Sequence, residues 1–182
     1  MAHIDKVDAK LLEMLQENGR VSQHDLARAV GLSAPAVAER IRKLEERGII
    51  RRYTAVLDAK ALGKDITAFI AVGTVGSRYY PEFRRRVSDA AEVQECHSVT
   101  GQGSHLLKIR VANTSALEQL LAEIQAWPGV QSTTTSLVLS TVKETTHLPL
   151  DPDGSEPGAD REAEEGPYGP GDLLHVPFRH HP

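Results

Sequence analysis

Apolar residues recur in two different rhythms along this chain. From Val7 to Leu44 they return every three or four positions, the spacing of amphipathic helices. From Asp65 to Val142, β-branched and apolar runs alternate with two more helical stretches. In the first part, Val7, Leu11, Leu12, Met14 and Leu15 share a face behind the capping residue Asp5, and Asn18-Gly19 ends the run. Ser22 opens a second helix with Asp25 three residues on, in the manner of a capping box, and Leu26, Ala27 and Val30 form its apolar side. Gly31 ends it, suited to a left-handed C-cap. Ser33 then opens a third helix, which runs to about Arg47 before Gly48.

Two helices joined by so short a turn must cross steeply. Ala27 on one helix, Gly31 in the turn and the branched Val37 on the next have the spacing of a helix-turn-helix; an ordinary three-helix bundle is the alternative on these residues alone. At about 100° per residue, Val37, Ile41, Leu44 and Gly48 fall on one face of the third helix. Pro35, Glu39, Arg42, Lys43 and Glu46 fall on the other, where a recognition helix needs its polar side chains. Charge runs are usually solvated faces, but this one lies on the helix that would enter DNA. The candidate DNA-contacting residues are Ser22, Ser33, Pro35, Ala36, Glu39, Arg42, Lys43, Arg47 and Arg51. Arg40 sits at the edge of the buried face and reads as an ion-pair residue.

The second part predicts strand 65–75, helix 79–91, strand 93–100, a turn at Gly101-Gln102-Gly103, strand 104–112, helix 115–127 and strand 130–142. That order, βαββαβ, is a ferredoxin-like unit with both helices on one face of an antiparallel sheet. On the last strand, Thr134, Ser136 and Val138 are neither fully polar nor fully apolar, a composition that suits a sheet face meeting another protomer.

Composition adds a gradient. The 182 residues carry a net charge of −4 and are 40% hydrophobic, close to a globular average. Residues 1–60 hold 11 Lys and Arg against 9 Asp and Glu, residues 61–147 hold 8 against 8, and residues 148–182 hold 2 against 8. The last segment also has seven of the ten prolines and no apolar periodicity, which predicts a disordered acidic tail. The domains expected are a helix-turn-helix at 1–52, a linker at 53–63, a βαββαβ unit at 64–147 and the tail at 148–182. A single cysteine, Cys96, excludes an intramolecular disulfide and a cysteine-based zinc site. Without a signal peptide or a run of roughly 20 apolar residues, the expectation is a soluble cytoplasmic protein with no membrane partner.

The chain resembles the Lrp/AsnC, or feast/famine, transcription regulators over residues 3–145. The resemblance rests on Ile4-Asp5, Asp8, Leu11-Leu12, Asn18-Gly19-Arg20, Leu26-Ala27, Val30-Gly31-Leu32-Ser33, the run Val37 to Glu45, Gly48-Ile49-Ile50 and Tyr53. It implies an α+β chain: a winged helix-turn-helix joined by a hinge strand within Ile50–Leu62 to a ferredoxin-like ligand-sensing and dimerisation domain. It also implies homodimers, commonly built into octamers, that bind a palindromic operator in double-stranded DNA, associate with the nucleoid and respond to an amino acid, with no cofactor or metal. The effector site would be Val99, Thr100, Gly101, Gln102, Gly103, Ser104 and His105, with Thr134 and Ser136 of a neighbouring strand. This turn departs from the family pattern, because Gly103 stands at an aromatic position and Ser104 at an aspartate position. A carboxylate for a ligand ammonium is therefore missing, while backbone N–H groups around Gly101 and Gly103 remain for a ligand carboxylate.

No nucleophile-and-base pair, metal-ligand spacing or phosphate loop points to an enzyme. The alternative is a tetrapyrrole (siroheme-type) decarboxylase on the same fold, for which His97 and His105 are the candidates; they share a sheet face in one hairpin register. Cys96 and His97 are adjacent on a strand, so they point to opposite faces.

Overall fold

The computed structural model describes residues 4–101 and 103–150. They form two compact units, one from residues up to Thr54 together with those from Thr146 onward, the other from Ala55–Thr145. The expected tail lies outside the described residues from 151 onward.

The first unit holds α1 (Lys6–Glu17), α2 (Gln23–Val30) and α3 (Ala34–Glu46). Each begins at the expected cap. Asp5 Oδ1 accepts the Asp8 N–H at 2.7 Å, Ser22 Oγ that of Asp25 at 3.1 Å and Ser33 Oγ that of Ala36 at 3.4 Å. Each cap satisfies a donor the helix itself leaves open. Gly31 takes φ +67, a left-handed conformation that costs glycine nothing, and lets Leu32 N–H close on Ala27 O at 3.1 Å. The turn is thus short enough for α3 to cross α2 over a core of Leu11, Leu26, Ala27 and Val37. The linker contains no strand: residues 51–58 form neither helix nor ladder, and a turn follows at 59–63. Within this single chain the segment expected as a hinge strand is therefore not paired, since a strand is formed only where another lies beside it.

The second unit contains β1 (Ile66–Thr74), a short 3-10 turn (Ser77–Tyr79), α4 (Tyr80–Asp89), β2 (Val93–Ser98), β3 (His105–Val111), α5 (Thr114–Gln125) and β4 (Val130–Leu137). The strands lie in the order β2-β3-β1-β4, all antiparallel. Ala68, Ile70 and Val72 of β1 and Leu107, Ile109 and Val111 of β3 face Phe83 of α4 and Leu120 and Ile124 of α5, with Trp127 closing the core. β4 ends at Leu137 instead of reaching residue 142. Its partner β1 begins at Ile66, and the last contact is Val138 N–H to Thr67 O at 2.9 Å, so nothing remains for a longer strand to pair with.

The other sheet face is open. Register places Phe69 and Ala71 of β1, Leu106, Lys108 and Arg110 of β3, Glu95 and His97 of β2, and Thr134 and Ser136 of β4 on it. Residues 138–144 border a cleft of about 700 Å³ on this face, where Glu144 pairs with Lys108 and with Arg110 (3.1 Å). Glu95 holds Lys108 from the other side at 3.2 Å.

Candidate functional site

The third helix keeps its expected division. Val37 and Leu44 are buried, Ile41 is half-buried, and Pro35, Glu39, Arg42, Lys43 and Glu46 are exposed. Along this exposed face the charges are knitted together. Arg42 donates to Glu39 through Nε (2.9 Å) and Nη2 (2.7 Å), and its Nη1 pairs with Glu46. Lys43 lies 3.5 Å from Glu39. The Arg42 guanidinium pulls the Glu39 carboxyl down to about 2. These i,i+3 and i,i+4 pairs are worth little in water, and phosphate oxygens can replace both carboxylates as partners of Arg42. Arg51 is exposed beyond the helix, Arg47 is its exposed C-cap residue and Ala36 is half-buried in its first turn.

Ser22 and Ser33 act first as caps. The Ser22 hydroxyl also donates to Asp25 Oδ2 at 2.6 Å, so its hydrogen bonds are already committed within α2. Arg40 behaves as its position at the edge of the face implies. Its Nη1 reaches Asp5 Oδ2 at 2.8 Å and Asp8 Oδ1 at 2.7 Å, tying α3 to the start of α1. The Asp5 carboxyl is held below its usual range chiefly by the Asp8 N–H; burial opposes this, and Arg40 adds to the depression. Tyr53 fastens the chain after α3 by donating to Glu45 Oε1 at 3.0 Å; burial, then Glu45, pushes its phenol up to about 12.

At the β2–β3 turn, Val99 N–H meets Ser104 O at 3.1 Å and Ser104 N–H meets Val72 O at 2.9 Å. Gly103 has φ +81, and a Cβ there would come within 3.0 Å of Val72 O, so both conformation and space call for glycine. Ser104 is not free for a ligand. Its Oγ accepts the Thr74 N–H at 3.1 Å, bonds Thr74 Oγ1 at 2.7 Å and donates to Val72 O at 3.3 Å, which pins the turn to the end of β1. Thr100, Gly101 and Gly103 are exposed, Val99 is half-buried, and Gln102 lies outside the described residues.

His105 points away from the turn. It is 5% exposed on the helix-facing side, 4.5 Å from the Phe83 ring centroid and 5.4 Å from that of Tyr80, with Nδ1 unpartnered. Burial pushes its pKa down. Thr134 lies opposite Ala71, one residue from Val72, whereas Ser136 lies opposite Phe69, about 7 Å farther along β1 by strand rise. One chain therefore brings Thr134 toward the turn and leaves Ser136 apart from it.

The histidine pairing needs correction. His97 is opposite Leu106 and His105 opposite Ser98, so the two rings lie on opposite sheet faces. Four residues, 100–103, separate the Val99–Ser104 contact, and that even number sets the parity. No single cavity can hold both imidazoles, which removes the residue pair on which the decarboxylase reading depended. Cys96 and His97 do point to opposite faces, Cys96 being opposite the buried Leu107. Among the described residues, no three His, Cys, Asp or Glu side chains gather as a metal set, and no helix is long and apolar enough to cross a membrane. Sequence reasoning missed Thr74, the partner of Ser104, and Glu144, the partner of Lys108 and Arg110. Both pairs are thirty or more residues apart and carry no local signal.

Residues 4–51 match a winged helix-turn-helix DNA-binding domain, and residues 67–148 match the Lrp/AsnC ligand binding domain. The HTH-type transcriptional regulator FL11 of Pyrococcus horikoshii is 37% identical over 147 residues, 81% of this chain and 97% of its own. The leucine-responsive regulatory protein of Escherichia coli is 36% identical over 148 residues, 80% of this chain and 90% of its own. A transcriptional regulator from Neisseria meningitidis, solved as a complex with L-methionine, superposes with a TM-score of 0.78 at 34% identity, covering 81% of this chain and 97% of that one. The matched domains, their order and the relatives agree: the chain is a DNA-binding regulator rather than an enzyme, and it belongs to the Lrp/AsnC family of transcriptional regulators.

Proposed function

We propose that two copies of the chain join through their open sheet faces and place two α3 helices in successive major grooves of a palindromic operator, with octamers as the higher assembly. The reading is carried by one observation: α3 buries Val37 and Leu44 while exposing Arg42 and Lys43 on the opposite side. Two-fold symmetry in the protein matches two-fold symmetry in the site. On this reading the protein works in the cytoplasm on the nucleoid, and Arg47, Arg51, Pro35 and Ala36 border the contact made by Arg42, Lys43 and Glu39.

The effector is an amino acid or a close relative, seated at the Val99–Ser104 turn near the interface between copies, with Thr134 beside it and Ser136 contributed from a neighbouring strand. The Neisseria relative's methionine complex supports the ligand class. Backbone N–H groups at Gly101 and Gly103 suit the ligand carboxylate. The turn supplies no carboxylate for the ammonium, and the Ser104 hydroxyl is already committed to Thr74 and Val72. Simple amino acids are therefore held weakly. Selection of genomic fragments by the purified protein, with and without pooled amino acids, tests the whole reading. Recovery of a shared two-fold-symmetric sequence, with occupancy altered by one amino acid, is the expected result. Fragments with no common sequence would refute operator recognition.

A further inference from the structure

We propose that the cleft between the open sheet face and residues 138–144 is a second small-molecule site, which takes a carboxylate with an apolar body and no ammonium group in place of the Glu144 side chain. The inference goes beyond the amino-acid site at the turn and does not depend on it. Two cations of the inner strand β3 line the cleft, Lys108 and Arg110, with side chains only 15% and 21% exposed. Glu144 reaches both from a stretch of chain that is in no helix or ladder, and its own side chain is half-exposed. Lys108 keeps a further carboxylate, Glu95, at 3.2 Å. The Lys108 ammonium, before any other group, holds the Glu144 carboxyl below its usual range, so Glu144 is an anion that the chain itself places in the site.

Its fit is incomplete. Arg110 Nη2 donates to Glu144 Oε2 at 3.1 Å, but Arg110 Nε, which is buried, has no hydrogen-bond partner among the described residues. These two nitrogens form one edge of the guanidinium. The same edge of Arg42 gives both of its bonds to Glu39, at 2.9 and 2.7 Å. Glu144 is stretched between two cations and satisfies only one nitrogen of the Arg110 edge. An untethered carboxylate can lie flat on that edge and take both, which relieves a buried donor that is costly while unpaired. The exchange replaces one negative charge by another, so the charge of the site is unchanged, and Glu144 regains water as the ligand loses it. Apolar contact supplies the remaining driving force. Phe69, Leu139 and Val142 line the cleft, and the last two are almost wholly exposed. A ligand body lying against them removes that surface from water. The volume, about 700 Å³, is that of a small-molecule site. An ammonium beside the ligand carboxylate would face Lys108 and Arg110 and be repelled. The ligand is therefore the deaminated counterpart of an apolar amino acid, an aliphatic acid or a 2-oxo acid.

The test titrates the full chain with 4-methylpentanoate, which has the carbon skeleton of leucine without its ammonium. Calorimetry gives the affinity, and NMR follows the Arg110 Nε–H resonance, assigned by its loss in R110K. That resonance should move as 4-methylpentanoate binds. At the same concentration, 4-methylpentanamide and leucine should leave it in place. E144Q removes the competing carboxylate and should tighten binding about tenfold, whereas R110K keeps the charge without the two-nitrogen edge and should weaken it at least about fivefold. A resonance that ignores 4-methylpentanoate, or that moves equally with the amide or with leucine, overturns the inference. So does an affinity unchanged in E144Q or in R110K.

Discussion

In the helix-turn-helix unit, the groups offered to a partner are long charged side chains raised on one helix. In the sheet unit, on the function proposed above, they are backbone N–H groups of a turn and a mixed face of side chains from four strands. The first unit rests on a small core of Leu11, Leu26, Ala27 and Val37, all from neighbouring helices. The second rests on a sheet whose central strand, β1, pairs with its two neighbours across thirty to seventy residues of chain. A helix displays function by periodicity, so most outward substitutions change binding and leave folding alone. A sheet displays function by register, so substitutions at its turn act on both at once.

The largest expected effect breaks the sheet unit at its centre. Phe83 is fully buried against His105 and Trp127. Phe83→Ala should cost about 3–5 kcal/mol, read as an earlier midpoint in urea monitored by the fluorescence of Trp127, the only tryptophan. A midpoint unchanged within error would mean that this core is not the one holding the sheet together.

Next is the replacement of Arg42 and Lys43 by Ala. Operator affinity should fall roughly ten- to hundredfold, and the magnitude of the salt slope should drop by about two. Part of the loss comes from leaving Glu39 and Glu46 facing phosphate without their cations. Folding should be unaffected, since both residues are exposed. An unchanged salt slope would exclude α3 as the reader.

Acid should separate the two units. His105 is buried and its pKa is depressed, so it stays neutral in the folded chain while the unfolded chain takes up a proton near 6.5. Stability is therefore full above that value and declines as pH falls below it, by at most about 1.4 kcal/mol per unit. The carboxyl of Asp5 is depressed in the folded state, so its contribution is present above the ordinary 3.8 and is lost only as pH falls below it. Trp127 fluorescence should report a decline starting near pH 6.5, and His105→Phe should flatten it. Equal pH profiles for wild type and variant would show that His105 is not the group responsible.

The smallest expected effect is at Ser104→Asp. The new carboxylate keeps the Thr74 N–H and hydroxyl as donors but meets the Val72 carbonyl, where Ser104 now donates. Calorimetry should show tighter binding of simple amino acids, with thermal stability lowered by about 1 kcal/mol. Unaltered ligand affinity would place the pocket elsewhere.

What the sequence revealed follows the same division. Asp5, Ser22 and Ser33 announce their helices because a cap is a three-residue event. Arg40 could be taken from the DNA face because its wheel position alone separates it from Arg42. The βαββαβ order was equally legible from alternation. Register was not: one residue more or fewer in the 100–103 turn would have put His97 and His105 on one face. The engagement of Ser104 with Thr74 and of Glu144 with Lys108 depends on strands meeting after distant segments of chain, and no spacing in the sequence encodes it.

The strand order also has a consequence in time. β1 is a central strand, and its two neighbours, β3 and β4, are both made later. On a ribosome adding about 5–20 residues per second, the three N-terminal helices are complete early and can close on contacts already synthesised. β1 must then wait several seconds, with Ile70 and Val72 uncovered, until Leu137 has emerged. During synthesis, the sheet unit is thus the part of the chain most exposed to association with other nascent chains, while the helix-turn-helix has already formed.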